Sequence, residues 1–299
     1  MRPAAVNPPR MSLVVVTWNS ADVLVRLLDG LVADPPATPF EVIVVDNAST
    51  DGTAAAARTH RIGARVIAND ANLGLAAGNN VGIAASHAEF VVICNPDIRP
   101  LPGALDALVG TADRRPRAGF VLARLQHQDG TLQSGVGDLP RLREVLLGRR
   151  AARVRASTEG FWWDGWPHDE ERTVGHGQEA CYLVRAAAIA EVGPQDPGYW
   201  LDWEGFDWAE RMWRAGWEVW FCPEAHVVHV GSTSLSKVKL RSTYWSHRGM
   251  YRYFSQRSPR WRRPLLAAAF ATRGLVKAGL TVVQPDVFQR ALLAVRDGR

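Results

Sequence analysis

The chain has 299 residues, 47% of them hydrophobic and 22% charged, which supports a substantial core in one large domain or a domain with an appendage. The net charge of +5 conceals an asymmetry: residues 237–299 carry 14 Lys/Arg and two Asp/Glu, against 21 basic and 28 acidic side chains before them. A basic tail on an acidic body points to an anionic partner, and the three cysteines (Cys94, Cys181, Cys222) exclude a zinc pattern and fit reduced, buried thiols.

Residues 1–10 hold four Pro/Asn and two Arg without an apolar core, so they read as a disordered lead-in and not a signal peptide. Ser12 to Thr17 reads as a buried strand and Ala21 to Leu31 as the amphipathic helix after it. A strand at Glu41–Val45, a helix at Thr53–His60, a strand at Arg65–Ala68, a helix at Ala76–Ser86 and a strand at Phe90–Cys94 follow. This alternation predicts an α/β fold with a mainly parallel sheet flanked by helices. Beyond residue 118 the spacing predicts strands at Phe120–Leu125 and Leu132–Ser134 around an Asp129-Gly130 hairpin turn. Arg141–Thr158 is basic without a clear period. A strand at Ala180–Val184, a helix from Asp207 to Ala215 closed by Gly216, and strands at Trp217–Cys222 and Ala225–Val230 complete the body.

Ligands of open α/β sheets bind at the carboxyl ends of the strands. Thr17-Trp18-Asn19 closes the first strand, and Val42-Ile-Val-Val-Asp46 runs into the polar turn Asn47-Ala-Ser49-Thr-Asp51-Gly52. A carboxylate at Asp46 can accept the imide N–H of uracil or thymine, whereas capping of the next helix suits Ser49 or Asp51 better. No G-x-G-x-x-G follows the first strand and no G-x-x-x-x-G-K-[ST] exists, which argues against a dinucleotide cofactor and a P-loop. Asn72-Leu-Gly74-Leu-Ala-Ala-Gly78-Asn79-Asn80 puts small residues and amides at a helix start, where phosphate charge is favoured, although a simple turn has the same composition. Asn95-Pro96-Asp97 ends an apolar strand, as a metal-binding carboxylate would, and is equally turn-like.

These four motifs, in this order, resemble the family 2 glycosyltransferases, and within them the bacterial rhamnosyltransferase-type branch, over residues 11–235. The resemblance implies a GT-A fold with a nucleotide-binding half at 11–117 and an acceptor half at 118–235. It implies an inverting transferase that uses a dTDP- or UDP-sugar, with dTDP-rhamnose the leading donor, and a divalent Mg²⁺ or Mn²⁺. Carried over by position, Thr17, Asn19, Asp46, Ser49 and Asp51 hold the nucleoside. Asn72, Gly74, Gly78 and Asn79 flank the nucleoside and diphosphate, Asn95 and Asp97 lie at the diphosphate, and Asp97 with His229 binds the metal. The segment Tyr199-Trp200-Leu-Asp202-Trp203-Glu204-Gly205-Phe-Asp207 resembles the family's Glu-Asp-x-Asp-Leu segment, but Gly205 stands where the second carboxylate, often the base, belongs. An acceptor hydroxyl must still lose a proton, so Glu204 is the first candidate base and Asp202 the second, with Asp207 assigned to the helix start. Six Trp fall between Trp200 and Trp220, and Trp200 and Trp203 are candidates for stacking on the acceptor.

Residues 236–299 combine Arg with Trp and Tyr beside the apolar run Leu265–Val283, the composition of a helix lying on an anionic membrane surface. Arg273 and Lys277 interrupt that run and argue against a membrane span. The expected partners are therefore a nucleotide sugar, a glycan or polyprenyl-linked acceptor and the inner face of a bacterial plasma membrane, with no nucleic acid. Gly205 motivates an alternative, a non-catalytic nucleotide-sugar-binding partner of a glycan assembly complex.

Overall fold

The computed structural model describes residues 9–133, 135–151, 159–230 and 239–283. The first half alternates as expected: β1 (Met11–Thr17), α1 (Ala21–Ala33), β2 (Phe40–Asp46), α2 (Thr53–Thr59), β3 (Arg65–Ala68), α3 (Leu75–Ala85) and β4 (Phe90–Cys94). Then come β5 (Ile98–Pro100), α4 (Ala104–Arg114), β6 (Ala118–Gln126), β7 (Val136–Gly137), α5 (Leu142–Ala151), β8 (Arg172–Thr173), β9 (His176–Gly177), β10 (Cys181–Arg185) and α6 (Ala186–Val192). The chain continues through α7 (Glu204–Arg214), β11 (Glu218–His229), α8 (Lys239–Gln256), a short 3₁₀ turn (Arg260–Arg262) and α9 (Arg263–Val283).

Nine strands form one sheet among the described residues, in the order β3-β2-β1-β4-β10-β6-β11-β5 with β8 beside β11. Alternate residues of β1 enter opposite cores: Met11, Leu13 and Val15 join the cluster with α1, α2 and α4, while Val14 and Val16 face α3, whose Gly82 and Gly78 approach them closely. Burial on both faces explains the unbroken apolar runs of the central strands. Strands β3, β2, β1 and β4 are parallel; β10 is antiparallel to β4 and to β6, and β11 runs with β6. The carboxyl ends of β2, β1, β4, β6 and β11, and the amino end of β10, therefore share one edge of the sheet. Asp46, Thr17, Asn95, Glu179 and His229 all stand along it.

Several expectations change. Asp129-Gly130 makes a turn, with Gly130 at φ +82°, but the return is a single bridge between Gln126 and Leu132, and Ser134 lies outside the described residues. The two strands expected around Pro223 are one, β11, whose register shifts between Cys222 and His226. Pro has no N–H for the ladder, so a bulge accommodates it. The Arg141–Thr158 segment begins as α5, and its residues 152–158 lie outside the described set. Residues 1–8 do too, whereas Arg10 is held by ion pairs to Glu89 (2.8 Å) and Asp113 (2.5 Å).

The segment taken as a tail is in part a piece of the body. Met250, Tyr253 and Phe254 of α8, with Leu266 and Phe270 of α9, form a third apolar cluster with Val145, Tyr199 and Trp203.

Candidate active site

At the first corner Thr17 and Asp46 are paired in the parallel register of β1 and β2. The Thr17 hydroxyl donates to Asp46 Oδ1 (3.2 Å) and the Ser49 N–H to Asp46 Oδ2 (3.0 Å). Each carboxylate oxygen thus keeps a second lone pair for a ligand, through a narrow opening, since Asp46 is 2% exposed. Ser49 and Asn19 staple the two loops together: the Asn19 N–H donates to Ser49 Oγ (2.8 Å) and the Thr50 N–H to Asn19 Oδ1 (2.8 Å). Asp51 accepts from the first N–H of α1, at Ala21 (3.1 Å), and from the Thr53 N–H (3.0 Å). Burial works to raise its pKa, but the hydrogen bonds from Thr53 and Ala21 outweigh that and hold it below the ordinary range. Asn19, Ser49 and Asp51 shape the corner and spend their polar atoms on it.

The Asn72–Asn80 stretch divides. Asn72 Oδ1 accepts from the Gly74 N–H (2.9 Å), closing a turn on the sheet edge. Gly74 is held at φ +83°, ψ 176°, a region open essentially to glycine, and a Cβ there would lie 2.7 Å from the Trp200 carbonyl oxygen. Leu75 N–H donates to that same carbonyl (2.8 Å), so this turn fastens the start of α3 to the loop that carries Trp200. Gly78, expected beside the phosphates, packs on the sheet, where a Cβ would meet Val16 Cγ1 at 2.8 Å. Asn79 is buried and donates to Gln195 Oε1 (3.0 Å), while the Asn80 amide exchanges hydrogen bonds with the Gln195 backbone (2.8 and 3.0 Å). Both amides tie α3 to the loop that carries Trp200. Amide and glycine composition looks the same whether it faces a phosphate or another loop.

At the third corner Asn95 N–H donates to the Ala180 carbonyl (2.9 Å), which sets the Asn95–Asp97 turn beside the start of β10. Gln133 Nε2–H donates to the His229 carbonyl (2.9 Å), which turns Gln133 Oε1 to accept from His229 Nδ1–H (3.0 Å). His229 Nε2 is then the lone-pair nitrogen, and it faces Asp97 Oδ1 at 3.6 Å. Burial pushes the His229 pKa down, against the upward pull of Asp97, and His127 adds to the lowering. A neutral imidazole and a carboxylate that turn lone pairs toward each other beyond hydrogen-bond length fit a cation between them. Gln133 is the orienting partner that metal-binding histidines usually have. Among the described residues no three His, Cys, Asp or Glu side chains converge on one point, so such an ion would complete its shell with substrate oxygens and water.

The fourth corner is a carboxyl cluster before α7. Asp202 (φ +62°) and Trp203 (φ +74°) are consecutive residues in the left-handed region, strain of a kind that gathers at functional sites. They lead into Glu204, the first residue of α7, which is 4% exposed, its Oε2 without a hydrogen-bond partner among the described residues. Burial, and then the Asp202 charge, push its pKa up to about 8. Asp202 stands exposed at the rim. A third carboxyl, Glu179, joins them, its pKa pushed well up by burial and then by Glu204 and Asp202. Glu179 is not legible as a site residue in the sequence, because it lies in the short link between β9 and β10, outside the acidic segment. Its signal was a lone acid between Gln178 and an apolar strand.

Asp207 is neither a helix start nor a free base. It sits in the first turn of α7, accepting from Arg211 Nε (2.9 Å) and Arg257 Nη2 (2.9 Å). Trp203 is also corrected: it is 5% exposed and packed among Phe161, Phe206, Tyr253 and Phe254. Trp200 is half-exposed and stacks on Trp245 with centroids 5.1 Å apart.

With this geometry in view the chain can be compared with known proteins. The family described as Glycosyl transferase family 2 matches residues 12–167. An N-acetylglucosaminyl-diphospho-decaprenol L-rhamnosyltransferase of Mycobacterium tuberculosis is 30% identical over 271 residues, which cover 85% of this chain and 87% of that protein. Succinoglycan biosynthesis protein ExoO of Rhizobium meliloti is 34% identical over 117 residues, or 38% of this chain and 33% of that one. Among solved structures, the mannosyltransferase PcManGT of Pyrobaculum calidifontis, in complex with GDP-Man and Mn²⁺, aligns at a TM-score of 0.57 with 20% identity, over 97% of this chain and 81% of its own. GalNAc-T7, solved with UDP, GalNAc and Mn²⁺, aligns at 0.57 with 15% identity, over 85% of this chain and 52% of its own. These structural likenesses carry the GT-A fold. The extent of the match to the family and to the mycobacterial enzyme identifies the chain as a member of glycosyltransferase family 2, a rhamnosyltransferase-like glycosyltransferase with a GT-A fold.

Proposed function

We propose that this enzyme transfers L-rhamnose from dTDP-rhamnose, or a related UDP-sugar, to a hydroxyl of a lipid-linked or glycan acceptor, with inversion at the anomeric carbon. The observation that carries this reading is the convergence on one sheet edge of a base-reading corner (Thr17 and Asp46), a diphosphate corner (Asn95 and Asp97) and a carboxyl cluster (Glu179, Asp202 and Glu204). The name of the mycobacterial relative, which specifies an N-acetylglucosaminyl diphospholipid acceptor, supports the sugar and the acceptor class.

In this reading Asp46 accepts from the imide of the base and the Asn72–Gly74 turn flanks the nucleoside. Asp97 and His229 would hold a divalent Mg²⁺ or Mn²⁺, which, when bound, supplies charge neutralisation to the departing diphosphate. The acceptor approaches beside Trp200, whose half-exposed ring offers a stacking face. Its proton goes to the carboxyl cluster as the hydroxyl attacks.

The test is transfer by the purified protein to a short-chain N-acetylglucosaminyl diphosphoprenol, with dTDP-rhamnose, UDP-sugars and GDP-mannose in parallel. The expected result is product from the dTDP or UDP donor alone, with the opposite anomeric configuration by NMR. Saturable donor binding with no turnover of any donor would favour a binding-only partner and sink the proposal.

A further inference from the structure

Gly205 leaves a gap in the acidic segment, yet the space beside it is filled. A Cβ built on Gly205 would lie 1.3 Å from Glu179 Oε1, 1.6 Å from Glu179 Cδ and 1.7 Å from Glu179 Oε2. The carboxyl group of Glu179 therefore occupies the volume into which any side chain at position 205 would project. It arrives from another direction, from the β9–β10 link, whose position is fixed by the hydrogen bond between Asn95 N–H and the Ala180 carbonyl (2.9 Å). That bond sets Glu179 next to the Asn95–Asp97 turn, where the diphosphate corner begins.

Three carboxyl groups are available, and their surroundings separate them. Glu204 is 4% exposed and Asp202 stands at the rim, while Glu179 is half-buried between them. Glu179 combines a partly desolvated setting with access for a substrate, and unlike Asp202, whose carboxyl is held by Ser246, it stands in the Gly205 gap. Two neighbouring buried carboxyls share a proton near neutrality, because charging both at once is costly. Burial and the charges of Glu204 and Asp202 hold the Glu179 pKa up, so its carboxylate, once formed, is a strong acceptor for a ligand's proton.

We propose that Glu179 is the catalytic base of this enzyme, its carboxylate standing in space where the side chain absent from Gly205 would be. The inference rests on the glycosyl-transfer reading above. In the step, the acceptor O–H bond breaks and its proton passes to a Glu179 carboxylate oxygen. The acceptor oxygen forms a bond to the anomeric carbon on the face opposite the nucleotide. The bond from that carbon to the diphosphate oxygen breaks, and the nucleoside diphosphate leaves with the electron pair. Positions 179 and 205 are mutually exclusive for a carboxylate, so the glycine is a requirement of the glutamate.

The experiment compares the full-length protein with Glu179→Gln, Gly205→Asp and the double swap Glu179→Gly/Gly205→Asp. All are assayed with dTDP-rhamnose or the best UDP-sugar and the short-chain diphosphoprenol acceptor, alongside nucleotide affinity and the pH profile of kcat. Glu179→Gln keeps the shape of the side chain and should lower kcat about 10²–10⁴-fold. Its nucleotide affinity should stay at the wild-type value, and the ascending limb of the pH profile should be lost. The groups facing Glu179 that shape this limb are Glu204, Asp202 and the Tyr182 phenol. Gly205→Asp alone should lose activity, because its side chain and Glu179 claim the same volume, and the swap should recover activity above the Glu179→Gln level. An unchanged kcat and pH profile in Glu179→Gln would overturn the assignment, as would full activity of Gly205→Asp or a swap no better than Glu179→Gln. These failures leave wild-type transfer intact, whereas a wild type that turns over no donor removes the underlying reading and this inference with it.

Discussion

Burial holds the Glu204 carboxyl protonated to about pH 8, while the same group in the unfolded chain ionises near its ordinary value of 4.5. Between those two pH values the folded state binds more protons than the unfolded state, so stability declines as pH rises through that window. The contribution is fully present below pH 4.5 and lost as pH passes the folded value. At about 1.36 kcal/mol per pKa unit the upper bound is roughly 4–5 kcal/mol, reduced by any opening of the loop to water. Glu204→Gln removes the titrating group and keeps its shape. Its urea midpoint should match that of wild type at pH 4 and exceed it at pH 8.5, with the slope of the transition unchanged. Parallel midpoints across that range would mean that Glu204 is not held protonated. Residue by residue, Asp46, Asp97 and Glu204 are visible in the sequence because Asp46 ends β2, Asp97 lies in the turn after β4 and Glu204 begins α7, in a known order of motifs. The sequence did not distinguish Asn79, which serves Gln195, from an amide that serves a ligand. It also hid Glu179, since a carboxyl group 26 positions before Gly205 fills its gap only through the folded geometry.

At the scale of elements, the second half of the body depends on how α8 is clamped to α7. Asp207 and Glu210 of α7 are 4% and 9% exposed, and Arg257, just past α8, reaches both, while Tyr253 donates to Glu210. Arg211 and Arg214 complete the lattice from within α7. Removing one partner of a buried ion pair leaves an uncompensated charge and costs about 3–5 kcal/mol, whereas replacing the whole group costs far less. Because Arg211 and Arg214 still pair with the two carboxylates in Arg257→Met, the loss in urea unfolding should lie at the low end of that range, about 3 kcal/mol. Adding Asp207→Asn and Glu210→Gln should restore a large part of the loss. If the triple variant were less stable than Arg257→Met, the ion pairs would be stabilising in their own right and the argument from stranded charge would fail. The expected strands were legible because both faces of the sheet are buried, which makes their apolar runs continuous. Helix α4 went unread although Leu105, Leu108, Val109 and Ala112 have helical spacing and are all buried. Helix α6, Ala-rich and seven residues long, gives too short a window for a period. Helix α7 starts three residues before the expected Asp207, because Asp202 and Trp203 enter it through a left-handed turn that local propensity disfavours.

Across the whole molecule, the basic C-terminal segment resolves into two parts with different surroundings. Helix α8 belongs to the body, with Thr243, His247 and Tyr253 buried, so a cut after Leu240 would remove core and not merely a tail. Arg273 of α9 turns inward, where its Nη1–H donates to His247 Nε2 (3.1 Å), and so does not break the outer face of the helix. That face presents Leu265 (65% exposed), Leu275 (74%) and Val276 (59%), with Trp261 (66%) at its start. Arg260, Arg262 and Arg263 are exposed beside it. Among the described residues no helix is long and apolar enough to cross a membrane, and residues 284–299, the remainder of the expected tail, lie outside them. An exposed apolar face beginning at a cluster of arginines suits shallow insertion among anionic headgroups, the arginines adding about 1 kcal/mol each near the surface. Replacing Leu265, Leu275 and Val276 together by Ser removes about 1 kcal/mol or more of apolar transfer per residue. Partitioning onto phosphatidylglycerol vesicles should fall on the order of a hundredfold, since 1.4 kcal/mol is a factor of ten. Replacing the three arginines by Gln should also weaken binding, but chiefly at low salt, because only that part is screened. Transfer to a short-chain acceptor in solution should be unaffected by either set, since none of these residues is part of the sheet-edge site. Vesicle binding that survives both sets would place the membrane contact elsewhere on the molecule.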